Sequence, residues 1–81
     1  MVHMQEKSNI LTTTDKFSII LWKLRTEKGL SQEKFAELAH INESYFGRIE
    51  RWQSSPTFKT IIKIAEALEI QLSELMNLIE K

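Results

Sequence analysis

The stretch Leu30–Arg51, "LSQEKFAELAHINESYFGRIER", decides how this chain is read. It holds two short helical patterns separated only by His40, Ile41 and Asn42. In the first, Ser31 can accept from the opening N–H groups, acidic Glu33 falls in the first turn, and Phe35, Ala36 and Ala39 make a narrow apolar face. In the second, Asn42 is the candidate cap, and Phe46 and Ile49 point inward. Ala36 falls where the two helices must cross, and a methyl-sized side chain there lets their axes approach closely.

On the N-terminal side, Phe17, Leu21 and Leu24 recur with helical spacing, Thr14 or Asp15 can cap the start, and Gly29 ends the run. Residues 1–13, "MVHMQEKSNILTT", are polar with little periodicity and read as a flexible arm, which leaves residues 14–81 as the domain. On the C-terminal side the chain turns at "QSSP", after which Phe58, Ile61, Ile62, Ala65 and Leu68 mark a fourth helix. Leu72, Leu75, Met76 and Ile79 mark a fifth, started by Gln71 or Ser73. With two glycines, one proline and no strand pattern, the expected fold is all-α with five helices.

Composition narrows the chemistry. Eighty-one residues make one domain, near the size at which a single core can hold a fold without staples. The absence of cysteine excludes disulfides, thiolate nucleophiles and zinc–thiolate sites. His3 and His40 are far apart and lack metal-binding companions, so neither a metal nor a cofactor is expected. No glycine-rich phosphate loop or Ser–His–carboxylate grouping is present, and the chain reads as a non-enzyme. Eleven basic and eleven acidic side chains cancel, so contact with nucleic acid must rest on a local face. No apolar run reaches the roughly 18 residues of a membrane span, and the N-terminus lacks the layout of a signal peptide. The expectation is a cytoplasmic protein.

Two helices joined by so tight a turn form a helix-turn-helix, in which one helix crosses a phosphate backbone while the next lies in the major groove. That second helix needs an exposed polar face. Glu43, Ser44, Gly47, Arg48 and Arg51 provide one opposite Phe46 and Ile49. Gly47 reads either as a residue merely tolerated or as one that permits close approach to DNA. Lys23, Lys28, Lys34, Lys59 and Lys63 read as ordinary solvated lysines, and His40 as a turn residue.

The segments "LRTEKGLSQEKFAELAHINESYFGRIER" and "PTFKTIIKIAEALEIQLSEL" resemble the Cro/repressor-type (XRE) helix-turn-helix family over about residues 16–76. "SYFGRIER" and the small size resemble in particular the controller proteins of restriction–modification systems. The resemblance implies a compact lambda-repressor-like domain that binds a pseudo-palindromic DNA operator as a homodimer and regulates transcription. It places Gln32 at a phosphate-contacting position, where the helix N-terminus favours an anion. Asn42, Glu43 and Ser44 fall at the start of the recognition helix, with Arg48 a turn further along. Arg48 suits bidentate contact with guanine, and Glu43 can accept from cytosine N4 or repel misplaced phosphates. Arg25 and Glu50 match a structural ion pair joining the first helix to the end of the third.

The chain departs from the family pattern in three ways. His40 and Trp52 stand where glycine is usual, and Trp52 is expected to send the following loop along another path. Ile19, Ile20 and Trp22 are apolar where polar or basic residues are common; Trp22 with Ile19 reads as extra core or as a partner surface. In the fifth helix, Met76, Leu78 and Ile79 exceed what a short core contact needs and form the expected dimer interface. The alternative function is an antitoxin or protein-interaction module that uses the same fold, an idea favoured by Trp22, Ile19, Trp52 and the zero net charge.

Overall fold

The computed structural model describes residues 11–80, which form five helices. They are α1 (Thr13–Glu27), α2 (Gln32–Ala39), α3 (Glu43–Glu50), α4 (Phe58–Leu68) and α5 (Leu72–Glu80). The all-α expectation holds. Most of the proposed arm, residues 1–10, lies outside the described residues, but Thr12 and Thr13 already belong to α1 and its cap.

Each of the first four helices starts on a side-chain oxygen. At α1 the cap is Thr12 rather than Thr14 or Asp15: the Asp15 N–H donates to Thr12 Oγ1 at 3.0 Å, and the Thr12 N–H donates to Asp15 Oδ2 at 3.1 Å. Asp15 thus serves as the reciprocal partner of a capping box, three residues inside the helix. Ser31, Asn42 and Thr57 accept from the N–H groups of Lys34, Tyr45 and Thr60 to open α2, α3 and α4. In α5 the Gln71 carbonyl accepts the first helical bonds, from Glu74 and Leu75.

The same four helices end alike. After α1, the Gly29 N–H donates to the Thr26 carbonyl and the Leu30 N–H to that of Arg25. This paired arrangement turns on a residue in the left-handed conformation. His40, Trp52 and Glu69 repeat it after α2, α3 and α4, with φ of 59°, 67° and 61°. Trp52 therefore takes the left-handed backbone conformation that glycine favours.

The core draws Phe17 and Leu21 from α1, Phe35, Ala36 and Ala39 from α2, Phe46 and Ile49 from α3, Ile64, Ala65 and Leu68 from α4, and Leu75 and Ile79 from α5. The first helix packs on α3 and α5, α2 on α3 and α4, and α4 on α5. Phe35 and Phe46 stack with ring centres 5.1 Å apart, locking α2 to α3 beside Ala36.

Several apolar residues fall elsewhere than expected. Phe58 is 65% exposed at the first position of α4, at the edge of the stripe through Ile61, Ile64, Ala65 and Leu68, and Ile64 takes the core place. Ile19 and Trp22 are exposed, because Ile19 lies half a turn from the Phe17–Leu21 stripe. Neither is extra core. Ile79, expected to face a second chain, is 2% exposed within its own chain. Its position four residues after Leu75 puts both on the same inward line. Only Met76 and Leu78 of the expected trio retain free surface, both half-buried.

Candidate nucleic-acid interface

The second helix of the tight pair, α3, presents Glu43, Ser44, Arg48 and, just past its end, Arg51 to solvent. Asn42 is exposed too, but its Oδ1 is engaged by the Tyr45 N–H, so the side chain sets the helix start. Arg48 lies with its guanidinium 5.8 Å from the Tyr45 ring centre, and its Nε donates to Ser54 Oγ at 3.3 Å. The Tyr45 hydroxyl donates to the Ser55 carbonyl at 3.2 Å. Arg48 is thereby steered toward the α3–α4 loop, which places Ser54 at the border of the same face. Gly47 is buried despite its outward position, because the Arg51 side chain covers it.

Behind this face the helix is anchored. Glu50, at the end of α3, accepts from Arg25 Nε at 2.8 Å and from Arg25 Nη2 at 3.0 Å. Arg25 Nη1 donates to the Leu30 carbonyl at 2.7 Å. Gln32 Nε2 also donates to Glu50, at 2.8 Å, so the side chain expected to meet phosphate is tied to the ion pair. The Gln32 backbone still stands at the start of α2. Arg25 and Glu50 are each 8% exposed, and burial of a carboxylate is tolerable only because its oxygens are so fully matched.

A further anchor is Ser18, whose Oγ donates to the Ile49 carbonyl at 2.7 Å in a buried setting. It is a second donor to that carbonyl, which the Trp52 N–H also reaches at 3.2 Å, and so ties α1 to the end of α3. The roles of Ser18, Tyr45 and Ser54 were not foreseen from the sequence. Ser18 alone offered a hint, as a small hydroxyl beside the apolar stripe of α1.

Other charges are ordinary. Lys63 Nζ donates to the His40 carbonyl at 3.2 Å, and the exposed Lys34–Glu37 pair, at 3.6 Å, contributes little. Among the described residues, no three metal-binding side chains come together, and no helix is long and apolar enough to cross a membrane.

A short helix locked across a second, whose outer face is polar and whose inner face is stacked and ion-paired, defines a helix-turn-helix domain. The family profile described as "Helix-turn-helix" (HTH_3) matches residues 23–75. The control protein C.MunI of Mycoplasma sp is 40% identical over 67 residues, covering 82% of this chain and 90% of that protein. The crystal structure of the restriction–modification controller protein C.AhdI from Aeromonas hydrophila superposes with a TM-score of 0.70 at 47% identity, covering 74% of this chain and 91% of that one. The HTH-type transcriptional regulator SutR of Escherichia coli (strain K12) is 34% identical over 74 residues; these are 91% of this chain but only 38% of SutR. The chain belongs to the XRE-type helix-turn-helix family of transcriptional regulators, among whose members similar to it are restriction–modification controller proteins.

Proposed function

We propose that this chain is a sequence-specific DNA-binding transcriptional regulator that acts as a homodimer on a pseudo-palindromic operator, with α3 in the major groove. The observation that carries the reading is the α3 face itself: Glu43, Ser44, Arg48 and Arg51 are solvent-exposed on a helix whose other side is stacked, capped and ion-paired into the core. The N-terminus of α2, with the Gln32 backbone, meets a phosphate through its unpaired donors and dipole. Arg48 contacts guanine, and Glu43 accepts from cytosine N4 or repels misplaced phosphate.

One copy presents few base contacts, and linking two half-sites supplies the missing affinity. The second copy packs against Met76 and Leu78. Leu78 borders an apolar groove between α1 and α5 that Leu11, Ile19 and Ile20 also line. Two-fold symmetry then sets the recognition helices about 34–36 Å apart, one turn of B-DNA.

Selection from a random duplex pool tests the proposal. An inverted repeat with half-sites one turn apart is expected; a pool that enriches no sequence would sink it.

A second reading, a protein-interaction module such as an antitoxin, is favoured by the exposure of Trp22 (55%) and Trp52 (51%). Genomic position separates the two, since a controller gene adjoins a methyltransferase and an endonuclease whereas an antitoxin gene adjoins a toxin.

A further inference from the structure

We propose that Gly47 is a seat for the Arg51 guanidinium and that the seated Arg51 reads a guanine, which makes Gly47 a specificity-determining position. The proposal rests on the DNA-binding reading above. A Cβ at position 47 would lie 2.9 Å from Arg51 Nη1, 3.4 Å from Nη2 and 3.5 Å from Cζ. All three are atoms of one guanidinium, so the space left by the missing side chain is filled by Arg51. Helical side chains lean toward the N-terminus, which carries Arg51 back one turn onto residue 47.

The location of that seat matters. On a helix turning about 100° per residue, Ser44, Gly47 and Arg51 fall in line along the middle of the face bounded by Glu43 and Arg48. Arg51 Nε reaches Gln53 Oε1 only at a long 3.4 Å, and among the described residues no acceptor takes the Nη groups. An arginine extended from the helix end would sweep the phosphates. Held low against the backbone in mid-face, its forked donors stand where base edges pass, and they match guanine O6 and N7. Glycine is a poor helix former, and this function gives a reason for its presence inside a helix of eight residues.

The test is a double-mutant cycle on the selected operator, using Gly47→Ala, Arg51→Ala and the pair, with Arg51→Lys as a control. The atoms facing position 47 are the far end of a flexible side chain, so Gly47→Ala folds with Arg51 displaced, and its thermal midpoint should equal or exceed wild type. Arg51→Ala should weaken operator binding about tenfold and erase a preference for one guanine per half-site. Gly47→Ala should do the same with the arginine still present, and adding it to Arg51→Ala should cost nothing more. Arg51→Lys should keep the salt dependence but lose the guanine preference.

Additive losses, or no loss in Gly47→Ala, would overturn the seat. A uniform weakening across all sequences by Arg51→Ala, with a shallower salt dependence, would make Arg51 a phosphate contact and overturn the guanine assignment. Failure of the wild-type chain to enrich any sequence would instead remove the DNA-binding reading on which this inference stands.

Discussion

His40, Trp52 and Glu69 all hold a left-handed backbone conformation that their side chains resist. The conformation costs a residue with a Cβ roughly 1–2 kcal/mol, while glycine carries an offset of about 0.5–1 kcal/mol from its freedom in the unfolded chain. His40→Gly and Glu69→Gly, both at exposed positions, should therefore each stabilise the fold by about 0.5–1 kcal/mol. Urea denaturation of the two variants checks this, and a lower midpoint in both would show that the side chains make compensating contacts. Arg48 raises a different expectation. Its replacement by alanine should cost about 1–3 kcal/mol of discrimination at one base pair per half-site without altering stability. Gln32→Ala keeps the backbone N–H that faces phosphate, so it should change DNA binding little while lowering stability by about 1 kcal/mol, because its amide donates to Glu50. Wild-type discrimination by Arg48→Ala in quantitative DNA binding would remove Arg48 from the interface, and a large loss of binding by Gln32→Ala would move the phosphate contact from the backbone to the side chain.

Around Glu50 three helices meet. Arg25 comes from α1, Gln32 from the start of α2 and the carboxylate from the end of α3, so one side chain fixes the mutual placement of all three. Glu50→Gln keeps the shape but leaves the Arg25 charge buried without its counter-ion, a loss of about 3–5 kcal/mol. In a domain of this size the thermal midpoint should fall by roughly 12–40 °C in the absence of DNA, measured by circular dichroism. An unchanged midpoint would mean that water relieves the charge. The spacing of Phe35, Ala36, Ala39, Phe46 and Ile49 was legible in the sequence because an inward stripe leaves a period of 3.6. So were the caps Ser31 and Asn42, which act on residues two or three positions away. Thr12 was missed for a local reason, since four neighbouring residues, Thr12 to Asp15, can all cap and only the reciprocal bond selects one. The Ser18–Ile49 bond and the Arg51–Gly47 contact were not legible. The first spans 31 positions in the chain, and the second depends on where a long side chain lies. Phe58 and Ile79 show the same limit: periodicity assigns a face, but the neighbours decide whether it is covered.

The proposed dimer would be built on the apolar surface that the single chain leaves open. Ile79 is already sealed inside, so a charge there would damage the fold rather than report on association; Met76 and Leu78 are the informative positions. Met76→Lys combined with Leu78→Glu should yield a folded monomer by analytical ultracentrifugation and abolish tight operator binding. A variant that stays dimeric would move the interface toward Trp22 and Ile19, and a monomer with undiminished binding would refute the paired-site mechanism. The anchoring of α3 carries one more consequence. Its start is capped by Asn42, its middle is stacked through Phe46, and its end is held by Ser18 and Arg25. In the proposed complex, a helix clamped at these points does not bend to suit an imperfect duplex, so the burden of adjustment passes to the DNA. Flexible pyrimidine–purine steps between the half-sites should then raise affinity although no side chain touches them, and the spacer of the operator becomes a part of the message written in stiffness instead of hydrogen bonds.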